Sequence, residues 1–500
     1  MAQRGPCLLG IDAGTQSLRA LVVDARGAEL GGGSQAYPTA YPHVAWAEQE
    51  PRQWWEAAKV AIPQAVAQAG VTARDIVGIA VSGTSSTTVA ITSDGEPLRP
   101  AIMWMDQRAT RQADEVTATS DPRLRYAGGI ESPEWNIPRA MWLRDNQPDI
   151  YERADLIVEQ IDWLTHKLTG EWTACLDVVS CKSHYATVEG GWPTRLLARL
   201  GISELQDKWP RTVLPMGAQA GELSATAAEE LQLSAGIPVA ASGIDAHVAM
   251  LGIGVVEAGQ IGTAIGSSSC LVALSGEGIF GSRWWGPFPD AMIDGLWALE
   301  GAQAATGSVV AWLADNFAGS EDQPEHDRFE VLDGKAAATP CGAEGLVVLD
   351  YWQGNRIPLR DPLARGVIWG LSLRHDIGHL LRAVYEARRW GVAISWRTLP
   401  VPGCRPQASA PAVAAHAAVS GCRYMPTCCR SRSCSRDSRK PPPSALPSAP
   451  PPVQVCTPVS PRPQGRWCAS PPRSSPTPRT QKSTMRCSTA TCGPIPRWRT

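Results

Sequence analysis

Residues 8–27 read LLGIDAGTQSLRALVVDARG. Leu8 to Asp12 is a short apolar run ending in an acid, and Ala13-Gly14-Thr15-Gln16-Ser17 is a polar turn containing glycine. Leu18 to Asp24 resumes the apolar run, and Asp24-Ala25-Arg26-Gly27 closes it. Strand, turn, strand and second turn make a β-hairpin. The first turn offers backbone N–H groups and hydroxyls beside a carboxylate. Such a turn can cradle a phosphate while the acid holds Mg2+, directly or through water. Taken alone, the stretch reads first as a plain hairpin loop.

Further along, Trp54 to Gln68 has helical character, and Ile76 to Val81 is a buried-strand run ending in Ser82-Gly83-Thr84-Ser85-Ser86. Pro138 to Asn146 and Asp162 to Leu168 read as helices, the latter stopped by Gly170. Strands alternating with helices imply an α/β architecture. A second glycine-rich region follows, with Ser242-Gly243-Ile244-Asp245-Ala246-His247 and then Ile265-Gly266-Ser267-Ser268-Ser269 between apolar runs. Two phosphate-loop candidates, one in each half, suggest duplicated halves facing a shared cleft. The pattern resumes at Leu346 to Leu349 and ends with an amphipathic helix over Ile377 to Glu386.

Composition sharpens the picture. A chain of 500 residues is too long for one compact domain and suggests two or three. The net charge of −2 hides a split: residues 391–500 carry 16 Lys+Arg against the single acid Asp437, whereas residues 1–390 carry 30 basic and 47 acidic side chains. The same last stretch holds 21 of the 42 prolines and 9 of the 14 cysteines. The acidic body argues against nucleic-acid binding. No run approaches about 18 uninterrupted apolar residues, so no membrane span is expected. Five scattered cysteines in the body favour a reducing, cytoplasmic compartment.

Gly10 to Arg19 resembles the first phosphate motif of the FGGY carbohydrate kinases, which belong to the actin/hexokinase-like ATPases. Supporting matches, in order, are Trp104-Met105-Asp106-Gln107-Arg108, Gly243-Ile244-Asp245-Ala246, Gly266-Ser267-Ser268, Glu300-Gly301-Ala302-Gln303, and Gly354-Asn355-Arg356 with Asp361-Pro362. Pro133 to Pro138 and Ser180 to Tyr185 look closest to pentulose kinases, particularly ribulose kinases. The resemblance implies two ribonuclease H-like α/β domains around a cleft. Residues 1–255 would be the sugar-binding and catalytic half, and 256–390 an incomplete nucleotide-side half. It further implies ATP-dependent phosphorylation of a primary hydroxyl of a ketopentose, with no nucleic-acid or membrane partner and a homodimer left open.

By the same resemblance, Asp245 is the base that takes the proton of the attacking hydroxyl, and Asp12 is the acid associated with Mg2+. Gly14, Thr15, Gln16 and Ser17, with Gly266, Ser267 and Ser268, would hold the ATP phosphates. Lys182, Glu300 and Asp106, backed by Ser85 and Glu134, are the sugar-site candidates. Asp106 and Arg108 read equally well as a structural ion pair near the cleft rim.

The family pattern fails after about residue 390, where the sequence turns into Ser/Pro/Arg/Cys-rich text with no period of 2 or 3.6. A disordered tail and a basic arm for acidic partners are two accounts of residues 391–500. A change of reading frame is the third and fits best. Joining the third base of each codon to the first two of the next, Arg439 through Thr457 can encode EAAALGAAFGAAAGAGVY, and Gly421 to Cys434 can encode LQIHADVLQIPIL. Both resemble the C-terminal part of the family, in the right order. The shift would begin between about Glu386 and Ser395. On this reading the printed chain is inactive or insoluble and the frame-corrected chain is a pentulose kinase; a non-catalytic sugar- or nucleotide-binding remnant is the alternative function.

Overall fold

The structure, a computed structural model, describes residues 5–266, 268–317, 325–361, 363–398 and 405–411. Strands β1 (Cys7–Ala13) and β2 (Ser17–Asp24) form the expected hairpin, in register from Cys7↔Asp24 to Ala13↔Leu18. Their apolar residues alternate, so Leu9, Ile11, Leu18, Ala20 and Val22 are all buried. Strand β3 (Glu29–Ala36) pairs antiparallel with β2, while β4 (Ile76–Gly83) lies parallel to β1 on its other side. Strands β5 (Gln219–Glu222) and β6 (Pro238–Ala240) complete a sheet of order β5-β6-β4-β1-β2-β3.

Helix α1 (Pro51–Ala69) lies directly on this sheet because β3 carries glycine where they touch. A Cβ on Gly33 would stand 2.0 Å from the Ala61 carbonyl oxygen, and one on Gly31 would stand 2.2 Å from the Ala69 nitrogen. The apolar face of α1 delivers Trp54 into the core, edge-on to Trp163 with ring centroids 5.9 Å apart. Helices α2 (Asn136–Asn146) and α3 (Gln160–Thr169) follow the sequence reading, and Gly170 ends α3 at φ 82°. Helix α4 (Leu176–Lys182) is buried throughout. The chain then crosses back through α5 (Asp245–Gly252).

The second half repeats the plan. Strands β7 (Gln260–Ile265) and β8 (Ser269–Ser275) form a second hairpin, and β9 (Trp285–Pro289) and β10 (Trp297–Gln303) extend it on the β8 side. Helices α6 (Gly307–Phe317) and α7 (Glu325–Ala338) come next, then the two-stranded ribbon of β11 (Val347–Leu349) and β12 (Val367–Trp369). Helix α8 (Ile377–Thr398) joins α6 and α7 over a core that includes Val310, Leu313, Phe329, Leu332, Leu381 and Val384.

One expectation is corrected here. The structureless tail was placed from residue 391, yet α8 runs to Thr398 and a strand β13 (Arg405–Pro411) pairs parallel with β7. Residues 391–398 contain no proline, so nothing in them stops a helix already nucleated by the preceding turns; Pro400 lies just beyond its end. The second sheet has the order β9-β10-β8-β7-β13. The open edge of β7 imposes the pairing on β13, whose sequence carries Pro406 and Pro411 and no alternation. The rest of the tail, residues 412–500, lies outside the described residues.

Candidate active site

Strand register brings the two key carboxylates together. Asp12 pairs with Ser82 across β1 and β4, and Gly83, the next residue of β4, bridges Ile244. Asp245 follows Ile244 as the first residue of α5. Two acids more than 200 positions apart therefore emerge at the same end of one sheet. Burial raises the Asp12 carboxyl above its ordinary value, with the Arg19 guanidinium 3.6 Å away pulling in the other direction. Burial, and next the charge of Asp12, push Asp245 up to about 7.

The phosphate turns are built alike. The Gly14 N–H closes its turn on the Ser17 carbonyl at 3.1 Å, and the Gly266 N–H closes the second turn on the Ser268 carbonyl at 2.7 Å. Both glycine amides are therefore taken, so a phosphate at either candidate turn would have to be held by their neighbours. Among the described residues, the N–H groups of Thr15 and Gln16 make no hydrogen bond. Trp104 Nε1 donates to the Thr15 hydroxyl at 3.0 Å, and Ser17 is buried at the head of β2. Gly266 is further anchored by Gly307 N and by the Thr306 hydroxyl, which both donate to its carbonyl. Ser267 lies outside the described residues.

The donor set fits Mg2+ at Asp12. Its carboxylate has only long contacts, 3.4 Å to the Ser82 hydroxyl and 3.6 Å to Arg19, and Gly14 opens the space beside it. The charge of Asp12 raises the proton affinity of Asp245, and a hard divalent cation beside Asp12 would relieve that repulsion.

The sugar-site candidates divide. Lys182, at the end of α4, reaches 3.6 Å from Glu300 on β10, and both are buried. The Lys182 ammonium sits 5.8 Å from the ring centres of both Trp135 and Trp285. Burial alone would raise the Glu300 carboxyl, but Lys182, His247 and Arg356 outweigh it and hold the group below its ordinary range. Ser85 lies in the polar turn after β4.

Asp106 does not join them. Its two oxygens accept from Ala47 N at 2.6 Å, Arg108 N at 2.9 Å, Arg108 Nε at 2.9 Å and Arg108 Nη2 at 2.7 Å. Four donors fill the acceptor capacity of a carboxylate, so nothing is left for a sugar. Arg108 is itself clamped on the faces of Trp46 and Trp142. The ion-pair reading is the one the geometry supports. Glu134 is likewise engaged, accepting from Arg356 Nη2 at 2.9 Å, and forms a tie between the two halves. Arg360 makes a second tie, donating to the Ala127 carbonyl at 2.5 Å.

Sequence reasoning missed Asp177 and His247. The Asp177 carboxylate is fully buried and accepts from Ile244 N at 2.9 Å, while its other oxygen lies 2.6 Å from His247 Nδ1. The available signal was the position of His247, two residues after Asp245 in the glycine-rich turn.

Comparison with known proteins agrees with this geometry. Residues 7–252 match the FGGY family of carbohydrate kinases, N-terminal domain, and residues 263–399 match its C-terminal domain. A ribulokinase of Anoxybacillus flavithermus is 31% identical over 427 residues, covering 77% of this chain and 74% of that one. A ribulokinase of Mycolicibacterium smegmatis is 32% identical over 434 residues, covering 79% and 77%. Among solved structures, a xylulose kinase from Rhodospirillum rubrum superimposes with a TM-score of 0.68 at 27% identity, covering 80% of each chain. A Plasmodium falciparum glycerol kinase with ADP shares the fold, with a TM-score of 0.67 at 18% identity over 81% of this chain and 80% of that one.

The fold is that of a sugar phosphotransferase, a two-domain α/β kinase of the actin/hexokinase-like kind. The chain belongs to the FGGY family of carbohydrate kinases, enzymes that phosphorylate sugar hydroxyls and typically use ATP with Mg2+. Among the described residues no helix is long and apolar enough to cross a membrane.

Proposed function

We propose that this protein's fold is that of an ATP:ketopentose kinase, with ribulose the favoured sugar, a cytoplasmic location, and Asp245 as the base. The observation that carries the reading is the meeting of Asp12 and Asp245 at one end of the first sheet, beside the Lys182–Glu300 pair. Phosphoryl transfer needs positioning and charge neutralisation more than covalent help from the protein. Asp245, pushed up to about 7, is poised to accept the proton of the primary hydroxyl near neutral pH. Asp12 would hold Mg2+, which supplies charge neutralisation at the phosphates. Thr15, Gln16, Ser17 and Ser268, with Gly14 and Gly266 shaping the turns, would hold those phosphates. Lys182 and Glu300 orient the sugar, and a buried polar pair of this kind rejects sugars that leave it unmatched.

The division into a catalytic half to residue 255, a nucleotide-side half from 256 and an out-of-frame tail belongs to the same proposal. The test is ADP formation by a frame-restored chain over a panel of D- and L-ribulose and D- and L-xylulose. Turnover highest with a ribulose, and abolished by Asp245→Ala, supports the reading; equal turnover in that variant removes Asp245 as base. A second reading, a sugar-binding remnant, is favoured by the charge reversal and proline content past residue 390. Sugar binding by the printed chain without ADP formation is its signature.

A further inference from the structure

The wall of the candidate sugar site contains two polar atoms that the fold leaves unmatched. His247 Nε2 and Glu300 Oε2 are both buried without a hydrogen-bond partner. They lie 3.8 Å apart, too far to bond each other. Leaving two such groups unsatisfied is costly, which is why native structures pair nearly all of them.

Their surroundings fix what can satisfy them. The Asp177 carboxylate takes the Nδ1 side of the imidazole and also holds Ile244 N, so the ring cannot turn away. Gly243 makes this buttress feasible, since a Cβ there would stand 2.5 Å from Asp177 Oδ2. With Nδ1–H donating to Asp177, Nε2 is the free corner. Burial disfavours the charged ring, but Asp177 and next Glu300 outweigh it and raise the imidazole above its ordinary value. A ring set between two carboxylates, 2.6 Å from Asp177 Oδ1 and 3.8 Å from Glu300 Oε2, favours the form in which Nε2 also carries a hydrogen. Glu300 is held ionised, so Oε2 can only accept.

We infer that His247 is a sugar-contacting specificity residue: its Nε2–H and Glu300 Oε2 together clamp one sugar hydroxyl, which accepts from the first and donates to the second. The inference rests on the kinase reading above and deepens it. A single oxygen about 2.8 Å from each group spans the observed gap. A ketone oxygen cannot fill this place, because it accepts from His247 and then opposes the Glu300 carboxylate. The clamp therefore selects for a hydroxyl. The same atoms, with Cys270 Sγ, lie within 4.8 Å of one another and resemble a ligand set for a soft metal ion. The Lys182 ammonium, 3.6 Å from Glu300 Oε2, makes a second cation unfavourable there.

Binding can be read on the full 500-residue chain without ATP, by calorimetric titration with the four ketopentoses. His247→Asn keeps a group that can reach Asp177 and loses the one at Nε2. His247→Gln does the reverse. The clamp requires the sugar Kd to rise at least tenfold in His247→Asn and less than threefold in His247→Gln. A purely structural histidine gives the opposite ranking, because His247→Gln breaks the Asp177 contact. Monodeoxy ketopentoses then identify the hydroxyl: its removal weakens binding to the wild-type chain and causes no further loss in His247→Asn. Unchanged binding by His247→Asn, or a ranking with His247→Gln the worse, overturns the clamp and leaves the kinase reading standing. If the wild-type chain binds no ketopentose, the same series is read on the frame-restored chain, and absence of binding there overturns the pentulose reading, and the clamp with it.

Discussion

The two sheets begin identically and end differently. Each opens with a hairpin whose glycine amide closes a polar turn, and each adds a third antiparallel strand beside the hairpin. Next to the first strand, however, the first sheet places β4, IVGIAVSG, paired from Ile76 to Gly83 with one irregularity at Val77 and followed outward by β6 and β5. The second sheet places RPQASAP there, with nothing beyond it among the described residues. Proline cannot donate to a strand ladder and is confined to edges, so β13 is a poor foundation for further strands. The proposed catalytic floor, with Asp12, Asp245, Asp177, His247 and Lys182, stands in the half whose sequence supports its sheet. The proposed nucleotide side depends on the half whose sequence does not.

The largest expected effect breaks the comparison at β13. A chain with the frame restored should form ADP from ATP and a ketopentose at least about a thousandfold faster than the printed chain, since misplacing the donor removes the positioning that phosphoryl transfer relies on. A coupled ADP assay decides it. Comparable rates from the two chains would show that RPQASAP serves as well as the family's own strand.

The next effect locates stability in the first half. Asp106→Ala leaves the Ala47 N–H buried without its partner and the Arg108 guanidinium with Glu48, 2.8 Å from Nη1, as its remaining carboxylate. Breaking a buried pair costs about 3–5 kcal/mol, and the surviving Glu48 contact puts this loss at the low end, about 3 kcal/mol. A chemical-denaturation midpoint should fall accordingly, with ketopentose affinity unchanged at temperatures where the variant is folded. Lost affinity at full stability would return Asp106 to the sugar site.

Asp245 gives a pH-dependent effect. Its carboxyl is held neutral in the folded chain up to about 7, whereas in the unfolded chain it ionises near 3.8. The unfolded state therefore releases its proton first, and stability falls as pH rises from about 4 to 7, then levels off. Asp245→Asn mimics the neutral form and escapes that loss. The variant should be as stable as wild type at pH 4 and more stable at pH 7.5, by at most about 4 kcal/mol. Denaturation midpoints measured at both pH values test this; a constant difference would mean that Asp245 titrates normally.

Much of this was legible because it depends on local pattern. Apolar runs around a polar turn set β1 and β2, a further apolar run set β4, and Gly170 marked the end of α3. Asp12 and Asp245 were legible through the order of motifs along the chain. The saturation of Asp106 was not: Arg108, two residues on, was legible as a partner, but the fourth donor comes from Ala47 far away in sequence, and filling all its acceptor sites is a three-dimensional count. The Asp177–His247 pair was hidden for the same reason, with 70 residues separating its members. Strand β13 was illegible because its pairing comes from its neighbour and not from its own residues.

The smallest effect compares two glycines that each lie close to a neighbour, one in each half. At Gly33 the obstacle is backbone: an added Cβ meets the Ala61 carbonyl oxygen at 2.0 Å, and α1 cannot retreat without opening the core around Trp54. At Gly301 the obstacle is the tip of a side chain, Ile357 Cδ1 at 2.4 Å, which can change rotamer. Overpacking costs typically about 1–3 kcal/mol, with the larger end where neighbours cannot move. Gly33→Ala should therefore cost about 3 kcal/mol and Gly301→Ala about 1 kcal/mol, read as shifts in denaturation midpoint at constant slope. The ranking follows from what yields, since both glycines have room for nothing larger than hydrogen. If Gly301→Ala proves the costlier, the loop that carries Ile357 is as rigid as the helix on the first sheet. The second half would then owe its order to that loop, tied to the first half by Arg356 and Arg360, and hardly at all to β13.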